Sequence, residues 1–251
     1  MNTGLEGRRA LVCGASQGIG RATARELASL GAEVVLLARR SEPLAELADE
    51  IRGTGGWALP LVADFDEGVP ELPSDIQIVV HNTGGPPGGP LLDATEDALI
   101  SAYRRHVLSA HAIARQVLPG MKTLGYGRFI NVLSTSVYEP IDNLGVSNLT
   151  RAAMASWAKT LSRELPPGIT INNVLPGFTD TERLSSLAEG RAERSGTTAD
   201  AVREAWVRMV PEGRLARPTE TASVIAFLAS PAASYVRGQS IAVDGGRLRG
   251  I

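Results

Sequence analysis

Ala10-Leu11-Val12-Cys13-Gly14-Ala15-Ser16-Gln17-Gly18-Ile19-Gly20 is the stretch that decides the fold of this chain. Four apolar residues read as a short strand, and glycines follow at positions 14, 18 and 20. Beyond them Ile19, Thr23, Leu27 and Leu30 recur at helical spacing, and Gly31 ends that helix. A glycine-rich turn between strand and helix lets backbone N–H groups approach a bound anion closely. The helix N-terminus adds favourable partial charge. In that context Gly14, Ser16, Gln17, Gly18, Ile19 and Gly20 are expected to cradle the pyrophosphate of a dinucleotide.

Working outward, short apolar runs alternate with longer amphipathic stretches. Glu33 to Leu37, Trp57 to Ala63, Ile76 to Val80, Phe129 to Leu133, Thr170 to Leu175 and Ser240 to Val243 read as further strands, with a helix over Ser41 to Arg52. Such alternation predicts an α/β chain: a Rossmann-type, doubly wound, mainly seven-stranded parallel sheet with helices on both faces. The 251 residues are expected to form one dinucleotide-binding domain. Two segments break the rhythm. Thr83 to Pro90 is too rich in glycine and proline for regular structure. Ser185 to Arg214 is a polar excursion before the last strand, and residues 182–214 are read as a substrate lid. Within it Val202, Ala205, Trp206 and Met209 make an apolar stripe, with Thr198 as N-cap.

Composition narrows the function classes. The net charge of −2 offers no basic field for nucleic acid or an anionic membrane, and no apolar run approaches the ~20 residues of a membrane span. The single cysteine, Cys13, has no intrachain partner, and no zinc-type spacing occurs, so no metal is expected. The N-terminus has no apolar signal region, and a cytoplasmic location is expected. The expected partner is a small-molecule substrate.

The end of the second strand reads Ala38-Arg39-Arg40. A carboxylate there would bond a ribose 2′-hydroxyl and repel a 2′-phosphate, whereas arginine pairs bidentately with phosphate. Arg39, helped by Arg40 and Ser16, therefore points to NADP(H) over NAD(H).

The glycine loop resembles that of the short-chain dehydrogenases/reductases, and the likeness covers essentially the whole chain. Asp64 matches the family aspartate that bonds the adenine ring. His81-Asn82-Thr83-Gly84 looks like the family's Asn-Asn-Ala-Gly turn, which places Asn82 and Gly84 beside the cofactor. Asn172 to Thr181 resembles the Pro-Gly segment, in which Pro176 and Gly177 would line the site and Thr181 would reach the nicotinamide carboxamide. Val243-Asp244-Gly245-Gly246 is similar to the C-terminal signature. The likeness is greatest to the 3-oxoacyl-carrier-protein reductase branch. It implies a homodimer or homotetramer paired through Ala98 to Leu118 and Leu149 to Arg163.

The catalytic positions depart from the family. Its members use a serine, a tyrosine thirteen positions later, a lysine four beyond, and an asparagine on the preceding helix. Here those positions hold Ser134, Ser147, Arg151 and His106. Tyrosine supplies the proton to the carbonyl oxygen, lysine lowers the phenol pKa and grips the ribose, and serine polarises the carbonyl. A serine hydroxyl is a far weaker acid than tyrosine, whose reference pKa is ~10. Arg151 keeps the charge and could still hold the ribose. Tyr138, four residues past Ser134, is one replacement donor, and His106, titrating near neutral pH, is another. His81, His111 and Cys13 read as structural, and Ser136 as a turn serine. The resemblance therefore implies an NADP(H)-dependent oxidoreductase acting on a carbonyl or alcohol through a non-standard donor. A non-redox lyase, dehydratase or isomerase, and an NADP(H)-binding regulatory protein without turnover, stay open beside it.

Overall fold

The structure is a computed structural model and describes residues 4–250. Seven strands run in chain order: β1 (Arg9–Cys13), β2 (Glu33–Ala38), β3 (Ala58–Val62), β4 (Ile76–His81), β5 (Gly127–Val132), β6 (Ile169–Pro176) and β7 (Ser240–Val243). They pair in the order β3-β2-β1-β4-β5-β6-β7, and every pairing is parallel. The seven expected strands are therefore all present. The bounds differ most at β5, which begins two residues before Phe129 and ends one before Leu133, while the edge strand β3 is a residue shorter at each end than the Trp57 to Ala63 run.

Both faces of the sheet are covered, so its strands are apolar at successive positions. The period of two sorts those residues between the faces. Val12, Leu36 and Val80 join a cluster with Leu27 of α1 (Gly18–Ser29), Leu47 of α2 (Ser41–Gly53) and Ile225 of α8 (Pro218–Ala229). Leu11, Val35, Val79 and Phe129 face the opposite way, onto Ile113 and Val117 of α4 (Ser109–Leu124) and Ala158 of α5 (Gly145–Glu164). Cys13 belongs to this second cluster, and burial pushes its thiol pKa up to about 12, so it is a packing residue and not a nucleophile.

The strand order reverses between β1 and β4. Ligands bind in the crevice beyond the carboxyl ends of the strands at such a reversal. Three segments crowd that crevice. The glycine loop follows β1. The Gly-Pro segment follows β4 and leads through α3 (Glu96–Tyr103) and a π-helical turn at Arg104–Leu108 into α4. The third is a helical pair after β6, α6 (Glu182–Ser195) and α7 (Ala199–Arg208).

Thr181 caps α6, accepting from the Leu184 N–H at 3.2 Å, and Thr198 caps α7, accepting from the Ala201 N–H at 3.2 Å. The stripe expected on α7 is shifted. Val202, Trp206 and Val210 are buried, whereas Ala205 and Met209 face solvent. Val202 and Trp206 pack with Leu184 and Ala188 of α6, so the two helices share a small core of their own.

Candidate active site

A single cavity of about 610 Å³ opens over the strand-order reversal. Its first wall is the glycine loop. Gly14 has φ +63°, and a Cβ there would stand 2.3 Å from the Asn82 carbonyl oxygen. Asn82 Nδ2 in turn donates to the Gly14 carbonyl at 3.4 Å, tying the turn after β4 to the loop after β1. Gly20 acts differently from the expectation. It lies off the cavity wall, and a Cβ there would meet the Gly14 carbonyl oxygen at 2.1 Å, so Gly20 lets the helix pack against the loop and touches no ligand space. Ser16, Gln17, Gly18 and Ile19 do line the cavity. The first turn of α1 carries no acidic residue, so its free N–H groups face an anion site without competition. This cradle fits a pyrophosphate.

Arg39, Arg40 and Asp64 line the far end of the same cavity. Arg39 Nη1 stands 3.6 Å from an Asp64 carboxylate oxygen, and the other Asp64 oxygen accepts the Asp66 N–H at 3.0 Å. Arg40 donates to the Gln17 side chain. The Arg39 side chain is mostly exposed, so its pairing with Asp64 is a weak surface contact that leaves it free to turn toward a phosphate. The wall beside β1 and β4 is completed by Asn82 and Gly84, and the wall beyond β6 by Pro176, Gly177 and Thr181. The Thr181 methyl stands 3.2 Å from where a Gly18 Cβ would sit, so Thr181 faces the glycine loop across the cleft.

Ser134, Ser147 and Arg151 also line this cavity, although they come from two elements. Ser134 leaves the end of β5, and its hydroxyl accepts the Ser136 N–H at 3.0 Å, which fixes the turn. Ser147 and Arg151 lie one helical turn apart on α5 and so share a face. Arg151 is buried. Its Nη1 donates to the Val132 carbonyl at 2.9 Å and its Nη2 to the Thr83 carbonyl at 3.3 Å. Burial, with repulsion from Arg183, lowers its pKa to about 10, still a cation at neutral pH.

Two expected proton donors are corrected by the structure. Tyr138 is 59% exposed and lies outside the cavity lining. Its hydroxyl donates to the Ser240 carbonyl at 2.9 Å, because the single turn at Thr135–Val137 swings it toward β7. His106 sits in the π-helical turn, buried, with Nδ1 against the Thr83 hydroxyl. Burial first, and then the Arg151 charge, hold its pKa far below the ordinary imidazole value. It is neutral at pH 7 and does not line the cavity. His81 is likewise buried, bonded to the Ser109 hydroxyl at 2.9 Å, with its pKa lowered to about 3.

Asp142, Leu187, Arg191 and Arg194 line the cavity without having been singled out in the sequence, whereas Phe178 lies in the Pro-Gly segment and Arg183 and Trp206 in the stretch read as a lid. Phe178 and Trp206 stack with ring centroids 5.2 Å apart and both line the cavity. Asp142 reaches it from the segment before α5. On α6, Arg183, Leu187, Arg191 and Arg194 line it together. Their spacing of four, four and three places them on one helical face, a signal present in the sequence.

A sequence profile of the enoyl-(acyl carrier protein) reductase family matches residues 14–247. The chain belongs to the short-chain dehydrogenase/reductase family. This short-chain dehydrogenase/reductase is 35% identical to the 3-oxoacyl-(acyl-carrier-protein) reductase FabG of Pseudomonas aeruginosa, over 96% of this chain and 98% of that one. It is 31% identical to the uncharacterized oxidoreductase YvrD of Bacillus subtilis over 100% of both chains. Among solved structures, L-sorbose reductase from Gluconobacter frateurii, complexed with NADPH and L-sorbose, superposes with a TM-score of 0.92 at 29% identity over 100% of both chains. An actinorhodin polyketide ketoreductase with NADPH gives a TM-score of 0.87 at 27% identity, over 96% of this chain and 97% of that one.

Proposed function

We propose that this protein is an NADP(H)-dependent oxidoreductase that interconverts a carbonyl and an alcohol, with Ser134, Ser147 and Arg151 as its polar groups. The observation that carries this reading is that these three residues share one cavity with the glycine loop, Arg39 and Asp64. Arg39 and Arg40 would hold a 2′-phosphate, the Gly14–Ile19 loop the pyrophosphate, and Thr181 the nicotinamide end. When bound, the cofactor supplies or accepts a hydride at the substrate carbon. Ser134 donates a hydrogen bond to the substrate oxygen. The Arg151 cation stabilises negative charge growing on that oxygen, in the cavity it shares with Ser134 and Ser147. Ser147 carries the proton-exchanging hydroxyl where the family has tyrosine. Tyr138 and His106 are not part of this scheme. Because general acid catalysis is worth about 10²–10⁴ in rate, turnover is expected to be slow for the family.

The test is NADPH oxidation by purified protein with a panel of ketones and aldehydes, repeated with Ser134→Ala. Turnover that Ser134→Ala lowers by tenfold or more supports the reading, in line with loss of one oxyanion donor costing about 10²–10³. Tight NADPH binding without turnover on any substrate favours a cofactor-binding regulatory protein. That second reading draws on one observation: no tyrosine, lysine or histidine lines the cavity among the described residues.

The protein is further proposed to act as a soluble cytoplasmic homodimer or homotetramer. No helix among the described residues is long and apolar enough to cross a membrane.

A further inference from the structure

The cavity is strongly cationic within a chain that is net negative. Seven arginines line it against two aspartates, in a protein of net charge −2. Three of those arginines have local partners: Arg39 has Asp64, Arg40 has Gln17 and Arg105 has Asp66. Arg151 is anchored by two backbone carbonyls at its end of the cavity and keeps its charge. The three on α6 are different. Arg183, Arg191 and Arg194 have no carboxylate within ion-pair distance among the described residues.

Arg183 is the informative one. It is half-buried, it crosses from α6 to the Gly-Pro segment, and its Nη2 donates to the Pro86 carbonyl. Its charge is felt by Arg151, whose pKa it lowers. Two cations thus face one cavity without a counter-ion between them, an arrangement that an anion would relieve. A cofactor's own anionic groups are provided for elsewhere, at the glycine loop and at Arg39 and Arg40. Arg183 stands beside Gly85, on the side of the cavity that holds Arg151.

We propose that the substrate is an oxo acid (or the matching hydroxy acid), whose carboxylate is received by Arg183, with Arg191 and Arg194 as flanking charges. This rests on the oxidoreductase reading for the word substrate, but not for the binding itself. The guanidinium fork matches the two oxygens of a carboxylate. The carbonyl at the other end of the molecule is then directed toward Ser134. Arg183 thereby selects the substrate class and sets its direction of entry.

Trp206 reports on this site without turnover. In a Trp57→Phe, Trp157→Phe background it is the one tryptophan, and it lines the cavity. The protein, loaded with NADP⁺ so that no reduction occurs, is titrated with pyruvate, acetoacetate and 4-oxopentanoate, with the methyl ester of each, and with inorganic phosphate. At least one acid is expected to bind about ten- to a hundredfold more tightly than its ester, as charge-assisted hydrogen bonds imply. The preference is expected to fall with salt. Arg183→Gln is expected to abolish it while NADPH affinity stays within about twofold. The double variant Arg191→Gln, Arg194→Gln, at two exposed positions, is expected to reduce it several-fold.

Equal binding of acids and esters, or no binding of either, overturns the proposal. So does phosphate binding more tightly than every acid. A preference that survives Arg183→Gln also overturns it. A parallel loss of NADPH affinity in Arg183→Gln would place that arginine on the cofactor and overturn it as well. Acid-selective binding without any NADPH oxidation in a separate assay sinks the oxidoreductase reading and leaves the carboxylate receptor standing.

Discussion

Arg151 Nη1 donates to the backbone carbonyl of Val132 at 2.9 Å, which fastens the cation of the active-site cavity to the end of β5. The same guanidinium reaches the Thr83 carbonyl beyond β4, so one side chain ties two neighbouring strand ends to α5. An arginine at this position therefore does two jobs. It places a charge in the site, and it closes the carboxyl edge of the sheet beneath the site.

Removing that clamp should cost stability. Arg151→Met leaves the Val132 and Thr83 carbonyls short of their donor, and losing buried hydrogen bonds to a charged group costs about 1.5–3 kcal/mol. Burying an unpaired cation is itself expensive, and methionine returns part of that cost. A net loss of about 1–2 kcal/mol is expected from urea unfolding. An unchanged midpoint would mean that the two hydrogen bonds only offset the burial of the charge.

Restoring the family's acid should raise turnover. Ser147 lines the cavity, so a tyrosine there would project into it. Ser147→Tyr combined with Arg151→Lys is expected to increase NADPH-dependent ketone reduction by about 10²-fold, the lower range of general acid catalysis. Ser147→Tyr alone should gain less, because Arg151 is held by two carbonyls and is not free to hydrogen-bond the phenol. Initial rates followed by NADPH absorbance decide this, and equal rates in wild type and the double variant would count against the assignment of Ser147 and Arg151.

Cofactor choice should follow Arg39. Arg39→Ala is expected to weaken NADPH binding by about ten- to a hundredfold, the value of charge-assisted hydrogen bonds to a phosphate. NADH affinity should change little, because NADH carries no 2′-phosphate for Arg39 to hold. Titrations of both cofactors by intrinsic fluorescence measure the ratio. Equal weakening of the two would place Arg39 away from the 2′-phosphate.

Acid should destabilise the protein through its buried histidines. The native pKa of His81 is lowered to about 3 and that of His106 lies far below its ordinary value, both chiefly through burial. In the unfolded chain each imidazole protonates near ~6.5. Below that pH the unfolded state binds more protons than the native state, so stability is intact above ~6.5 and falls as the pH drops toward the native values. Each histidine contributes a slope of about 1.4 kcal/mol per pH unit across that window. His106→Asn, which installs the residue type the family carries, should flatten unfolding free energy between pH 6 and 4.5 by roughly that amount. Urea denaturation at several pH values tests it, and an unchanged slope would show that His106 is protonated in the fold.

The architecture was legible because it follows from local rules. A parallel sheet covered on both faces demands apolar runs at every strand, and the seven runs are there to be read. The glycine loop was legible because Gly14 and Gly20 sit where the backbone leaves no room for a Cβ. The family resemblance singled out Ser134, Ser147 and Arg151; all three line the one cavity, and Ser147 and Arg151, four apart on α5, share a face.

What the sequence could not decide was the state and direction of single side chains. Whether His106 titrates depends first on its burial and then on the charge of Arg151, which reaches it from α5. Whether Tyr138 serves the site depends on Ser240, 102 residues away, whose carbonyl takes its hydroxyl. The two ends of the Arg183 bridge lie 97 residues apart in the chain, so the cationic end of the cavity exists only once α6 folds over the Gly-Pro segment. Periodicity and spacing are set by neighbours along the chain and determined the fold and the cofactor loop. Solvation, charge partners and side-chain direction are set by neighbours in space, and the tertiary structure alone decided those.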